Sequence, residues 1–244
     1  MIDAHCHLYE VPEEMWAGLD LQMICCGADF ESSEKAIELA QKHSNVWATV
    51  GVHPEEMSKE LDSSLLLRMT KEPKVVAIGE CGLDSDSEEE VQLFKVNIEL
   101  AKETGLPLVV HCRNQFKKVY SVLSAKREVL RGIQMHCWTG DQEWTKKFVG
   151  LGCYISFGGI LTFKNSHDLR AVASAVPEDR LLIETDSPYL APEPLRGSVN
   201  NPANVRLVAK VLAETRGVSI DTIDKITTEN AVKLFKLDPS LHSG

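Results

Sequence analysis

The sequence predicts an α/β fold closed as a TIM-type (β/α) barrel, and three observations carry that expectation. Short apolar runs alternate with charge-rich stretches of helical character, the pattern of a parallel sheet with crossover helices. Eight such runs can be read, the number a closed barrel needs. The chain has 244 residues, 43% of them hydrophobic, with no break in composition, no low-complexity stretch and no fixed-period repeat. A single domain spanning 1–244 around one large core is therefore expected.

Taken in order, the strand candidates are MIDAHCH (1–7), LQMICCGA (21–28), VWATVGVH (46–53), VVAIGE (75–80), LPLVVHC (106–112), GIQMHC (132–137), CYISFG (153–158) and LLIETD (181–186). Between them, SSEKAIELAQKHS (32–44) and EEEVQLFKVNIELAKETG (88–105) read as helices of an outer ring, the second ending on a glycine suited to a C-cap. The stretch APEPLRGSVNNPANV after the eighth strand is too polar and broken to be an element, and loops of that kind at a barrel mouth often bind substrate. From about 205 to 237 the periodic Val, Leu and Ile predict helices that cover the barrel end.

The formal net charge of −10 opposes general attraction to a polyanion, so a nucleic-acid substrate would need local compensation from divalent ions and a few arginines. Seven cysteines, an odd count with no CxxC pair, fit reduced thiols that pack as small hydrophobes. Cys112 and Cys137 directly follow histidines, but alternation along a strand turns each to the opposite face, so thiolate ligation is not expected. The chain opens with MIDAHCHLYE, without the basic start and apolar run of a secretory signal, and contains no apolar segment of membrane-spanning length. A cytoplasmic protein is expected, and a monomer, since nothing indicates an obligate dimer.

Five of the eight strand candidates end in a residue able to bind a metal: His5 and His7 on the first, Glu80 on the fourth, His111 on the fifth, His136 on the sixth and Asp186 on the eighth. The chain has 8 histidines, and four of them fall at these strand ends. The carboxyl ends of barrel strands converge on the face where active sites are built, so these residues would meet. His5 and His7, at i and i+2, share a strand face and can reach one cation, with Cys6 turned away. Four histidines and two carboxylates exceed what one tetrahedral ion needs and suit two divalent ions, Mg²⁺, Mn²⁺ or Zn²⁺, about 3.5–4 Å apart. Glu80 would bridge them, and Asp186 could also take a proton from the attacking water. Water beside such ions ionises far more readily than in bulk, which makes hydrolysis by a metal-activated water the reaction class. There is no GxSxG elbow, phosphate loop or dinucleotide fingerprint, and no organic cofactor is implied.

Six ordered stretches, DAHCHL, GVHP, GECGLD, PLVVHCR, HCWTG and LIETDSPYLAP, together with NNPANV and ENAVKLF, resemble the TatD-type metal-dependent deoxyribonucleases over essentially the whole chain. That resemblance implies a TIM-type barrel of the metal-dependent hydrolase kind, divalent metals, and hydrolysis of phosphodiester bonds in DNA, commonly from a 3′ end. It carries the metal-ligand role to His5, His7, Glu80, His111, His136 and Asp186, and makes His53, Arg113 and Arg196 substrate or phosphate contacts. Where the family commonly continues GLD with an aromatic and basic run, this chain reads GLDSDSEEE, which is more often a solvated helix start than a binding patch.

Blander readings stand beside these. Arg113 and Arg196 each fit a mouth salt bridge nearly as well as a phosphate clamp. Trp138 and Tyr189 could stack on a base, though packing at the rim is slightly preferred. His43, His167 and His242 receive no role. Two other functions remain open: a barrel hydrolase acting on a small amide, lactone or phosphoester, and a metal-bearing barrel that only binds a partner.

Overall fold

The computed structural model describes residues 1–56 and 63–237, so His242 lies outside the described residues. Eight strands pair in sequence order, each parallel to the next: β1 (Ile2–Cys6), β2 (Gln22–Cys26), β3 (Val46–Val50), β4 (Val75–Leu83), β5 (Leu108–Cys112), β6 (Ile133–Met135), β7 (Tyr154–Phe157) and β8 (Leu181–Ile183). Helices α1 (Phe30–Lys42), α2 (Ser63–Met69), α3 (Glu88–Thr104), α4 (Phe116–Ser124), α5 (Gln142–Gly150) and α6 (His167–Ala175) alternate with the strands, and α7 (Val205–Arg216) and α8 (Ile220–Phe235) end the described chain. The expected barrel is observed. Among the described residues, no helix is long and apolar enough to cross a membrane.

The ring is drawn together between β1 and the segment after β8. Asp186 N–H donates to the His5 carbonyl at 2.9 Å and His7 N–H to the Ser187 carbonyl at 2.7 Å. Asp3 buttresses the seam, its carboxyl accepting from the Thr185 N–H at 2.8 Å and the Thr185 hydroxyl at 2.5 Å. Burial pushes the Asp3 carboxyl up to about 8.

One buried cluster joins Ile24, Trp47, Ala77, Val109 and Leu182 to Leu234 and Phe235 of α8, so α8 covers the barrel end as the periodicity from 205 to 237 predicts. A second cluster packs the outward strand residues, Met23, Cys25 and Ile78 among them, against the helices. Cys6 belongs to that outer cluster, as alternation requires.

Local chemistry sets the element ends. The helix expected from residue 32 starts at Phe30, because Asp29 and Ser32 form a capping box in which Asp29 accepts from the Ser32 N–H at 2.8 Å. The acidic run is a helix start: Ser87 caps α3, Glu88 to Glu90 fill its first turn, and Gly105 closes it at φ +68°.

Two strands carry an extra residue beside the site. Asp3 opposes Met23 and Cys6 opposes Cys25, three residues against two. In β4, Ile78 opposes Leu108 and Cys81 opposes Val110, again three against two. These bulges re-aim His5 and Glu80, and β4 runs to Leu83, beyond the expected end at residue 80. By contrast β6 and β8 stop at Met135 and Ile183, so His136 and Asp186 follow their strands instead of ending them.

Gly82 lies at φ +142°, and a Cβ there would overlap the carbonyl oxygen of His111. Gly82→Ala is expected to destabilise the metal-free protein by about 2 kcal/mol or more, roughly 4–8 °C in Tm. Thermal unfolding of variant and wild type checks this, and an unchanged Tm would refute the close approach.

Candidate metal centre

A cavity of about 590 Å³ opens at the carboxyl ends of the strands, lined by His7, His53, Glu80, His111, His136 and Asp186 with rim residues around them. Glu80 is at its centre and 4% exposed. Its Oε1 lies 2.7 Å from His136 Nε2 and 3.2 Å from His111 Nδ1. Its Oε2 lies 3.3 Å from His5 Nε2 and 3.6 Å from His7 Nε2. Asp186 Oδ1 faces the same pair, 3.5 Å from His5 Nε2 and 3.4 Å from His7 Nε2. All six predicted ligands are thus brought together, and Asp186 reaches inward from a left-handed backbone at φ +56°.

The donor set fits divalent cations. His5 Nε2 and His7 Nε2 are 3.3 Å apart, and His111 Nδ1 and His136 Nε2 are 3.2 Å apart. Ring nitrogens facing one another across carboxylates need a proton or a cation between them, and mixed N and O donors suit Zn²⁺, Mn²⁺ or Mg²⁺. The groups His5–His7–Glu80 and His5–His136–Asp186 each place their donor atoms within 4.8 Å of one another.

Electrostatics are governed by burial and by these pairings. Burial alone would push the Glu80 carboxyl up, but His136 and His5 outweigh it and hold it well below the usual carboxylate range. Burial likewise disfavours the His136 cation, and Glu80 outweighs it, raising His136 well above an ordinary imidazole. His7 follows the same pattern, with burial opposed by the Asp186 hydrogen bond and the net value raised to about 9. Asp186 is lowered by His7 against the upward push of burial. His5 is lowered, first by burial and then by His136.

His53 also reaches the centre, with Nε2 3.5 Å from Glu80 Oε1, and it forms a third candidate ligand group with Glu80 and His111. A hydrogen bond argues against ligation: the Glu55 N–H donates to His53 Nδ1 at 3.2 Å. Burial lowers His53 to about 4, so the ring is neutral and its one proton is on Nε2, which faces the cavity as a donor.

Three other expectations turn out differently. Arg196 is not brought to the cavity; its guanidinium lies 3.8 Å from the ring centre of Phe163, and it is absent from the lining. Cys112 and Cys137 do not face away, since both line the cavity. Cys137 follows a strand already ended and has φ +43°, so alternation no longer applies. Burial raises Cys112 to about 12 and pushes Cys137 well above the ordinary thiol range, which keeps both as uncharged thiols, and neither joins a candidate ligand group. Trp138 is a packing residue, 2% exposed, bonded to the Thr145 hydroxyl and against Phe116 and Phe148. Tyr189 is 49% exposed at the mouth, its hydroxyl donating to Glu10 at 2.6 Å. His43 caps α1 and pairs with Glu13, and His167 starts α6; neither enters the site.

Some residues at the site were not singled out from the sequence. His111 Nε2 meets Asp84 Oδ1 at 2.9 Å, and Arg113 Nε meets the same oxygen at 2.9 Å. Glu184 Oε1 lies 3.3 Å from His136 Nδ1 and accepts from the Cys137 N–H at 2.6 Å. His7 Nδ1 lies 2.9 Å from both the Cys26 carbonyl and the Tyr9 hydroxyl. Asp84 and Glu184 belong to GECGLD and LIETD, and their presence there as unassigned carboxylates was the available signal.

A family profile described as TatD related DNase matches residues 2–236. The chain belongs to the TatD family. A metal-dependent hydrolase of Bacillus subtilis, YabD, named as uncharacterized, is 35% identical over 98% of this chain and 100% of its own length. A protein of Cronobacter sakazakii named 3′-5′ ssDNA/RNA exonuclease TatD is 34% identical over 87% of this chain and 86% of its own. The crystal structure of YJJV, a TatD homologue from Escherichia coli K12, superposes with a TM-score of 0.90 at 28% identity, covering 98% of both chains. The protein is therefore a metal-dependent hydrolase of the TatD family, on a TatD-type barrel.

In the metal-free protein, His7 near 9 and the raised His136 are protonated at neutral pH, and a metal must displace those protons. Affinity for a divalent ion is expected to rise with pH up to about 9, with proton release on binding. Calorimetric titration in two buffers of different ionisation enthalpy at pH 7 measures the release, and binding with no proton released would contradict the ligand assignment.

Proposed function

We propose that this TatD-family chain is a two-metal deoxyribonuclease that removes nucleotides from the 3′ end of single-stranded DNA. The observation that carries the two-metal reading is Glu80, whose Oε1 faces His111 and His136 while its Oε2 faces His5 and His7. Two divalent ions held there would polarise the phosphodiester and acidify water for attack near neutral pH. Glu80 would hold both ions, and Asp186 would add a donor on the His5–His7 side. The Asp186 carboxylate, held ionised by His7, accepts a proton from the attacking water. His53 donates from Nε2 to a substrate oxygen. Arg113, with its side chain 60% exposed at the mouth, clamps a phosphate through paired hydrogen bonds. A cavity of about 590 Å³ suits a chain end better than the middle of a duplex.

The nuclease reading is supported by the relative named as a 3′-5′ ssDNA/RNA exonuclease. It is tested with 5′-labelled single-stranded DNA, metal-free protein and added Mg²⁺, Mn²⁺ or Zn²⁺. Stepwise shortening that needs an ion, and falls more than about 100-fold in Glu80→Gln, is expected. Intact DNA with every ion would sink the proposal.

Tyr189 offers its half-exposed ring as a stacking surface for a terminal base. Tyr189→Ala is expected to raise KM for single-stranded DNA by roughly 5- to 150-fold, from about 1–3 kcal/mol of stacking, with a smaller change in kcat. An unchanged KM would assign the ring to the rim alone.

A second reading rests on the rim. Glu10, Glu55 and Glu56 line the mouth, and Arg113 is the one lysine or arginine among the described lining residues. That charge balance favours a small phosphoester, lactone or amide over a long polyanion. Turnover of such a substrate without cleavage of any DNA end would select it.

A further inference from the structure

Asp84 stands where the metal centre meets the mouth. Its Oδ1 is 2.9 Å from His111 Nε2, on the far side of the ring from the Nδ1 that faces Glu80 and His136. The same oxygen is 2.9 Å from Nε of Arg113, the cation of the lining. Asp84 is itself fixed from behind. Glu90, on the first turn of α3, accepts from the Asp84 N–H at 2.7 Å and the Ser85 N–H at 2.8 Å, and takes the Ser85 hydroxyl on its other oxygen. The GLDSDSEEE run thus folds back on its own helix start and sets one carboxylate between a candidate ligand and a candidate phosphate clamp.

A carboxylate behind a ligating imidazole fixes its tautomer, orients the ring and raises its basicity. The two halves of the centre differ in this respect. His7 is backed by a neutral carbonyl and a hydroxyl, and His5 Nδ1 has no hydrogen-bond partner among the described residues. The two proposed ligand imidazoles on the Glu80 Oε1 side are backed by carboxylates: Asp84 behind His111, and Glu184, at ion-pair distance, behind His136.

We infer that Asp84 is a positioning residue that couples the two parts of the site, holding His111 as a ligand on the Glu80 Oε1 side and presenting Arg113 to a substrate phosphate. Because one oxygen serves both groups, its charge is divided between them. Removing Arg113 leaves all of it to His111, whereas removing the carboxylate loosens both. The inference rests on the two-metal reading for which half of the centre is affected.

The test is a titration of metal-free wild type, Asp84→Asn and Arg113→Ala with Mn²⁺, counting bound ions and following them by electron paramagnetic resonance, with inorganic phosphate binding measured on the Mn²⁺-loaded proteins. Asp84→Asn is expected to weaken one Mn²⁺ of two by about 10- to 100-fold, leave the other within about 3-fold, and weaken phosphate. Arg113→Ala is expected to weaken phosphate while holding both ions at least as tightly as wild type. Wild-type Mn²⁺ binding in Asp84→Asn would overturn the inference. So would equal weakening of both ions, which marks a general structural role, or loss of an ion in Arg113→Ala. A wild type that takes up a single ion would sink the two-metal reading alone, and the inference then stands if Asp84→Asn weakens that ion and falls if it does not. Metal-free Asp84→Asn that melts far below wild type is replaced by Glu90→Gln, which loosens Asp84 without touching His111 and is held to the same outcomes.

Discussion

The site depends on one buried carboxylate. Glu80 is 4% exposed in the mouth of an apolar barrel, where an unpaired charge would cost several kcal/mol. Five imidazoles, those of His5, His7, His53, His111 and His136, approach its two oxygens within 3.6 Å. In the metal-free protein, protons on His136 and His7 compensate the charge, and the raised values of both rings record that role. The geometry that satisfies Glu80 with protons is also the geometry that offers ring nitrogens to divalent ions, so folding and metal binding draw on the same contacts.

The surroundings serve that arrangement. The bulge in β4 turns Glu80 inward, and the bulge in β1 does the same for His5. The bonds that draw β1 to the segment after β8 run through His5, His7 and Asp186, so closing the barrel and assembling half of the candidate ligands are one event. Much of the acidity has a local purpose. Glu88 to Glu90 begin α3, Glu90 secures the Asp84 turn, and Glu10 holds the Tyr189 hydroxyl. A net charge of −10 therefore describes structural carboxylates as much as any field presented to a substrate.

Much of the site was legible because its signals are local or periodic. Seven of the eight strand candidates contain an observed strand and the fourth stops three residues short of the end of β4, and the six ligand candidates could be picked because each stands within three residues of a strand's carboxyl end. Alternation also places Cys6 on the outer face. It fails at Cys137, where β6 has ended and the backbone turns to φ +43°. Arg196 was drawn toward a phosphate by its loop and its family position, but its guanidinium packs over the ring of Phe163 and is absent from the cavity lining. His53 was placed at the site from sequence, yet its role as a donor follows from a single backbone N–H on Nδ1, a contact that no pattern encodes.

The sequence by itself determined the barrel, the candidate ligand set and the membership of the TatD family, because hydrophobic period, strand number and residue type at strand ends are properties of short segments. Only the tertiary structure decided which oxygen of Glu80 faces which ring, that Asp84 and Glu184 stand behind His111 and His136, and that Arg113 but not Arg196 reaches the mouth. Those facts depend on side-chain direction across bulges, left-handed turns and a seam joining residues about 180 positions apart, and such long-range geometry exists only once the ring has closed.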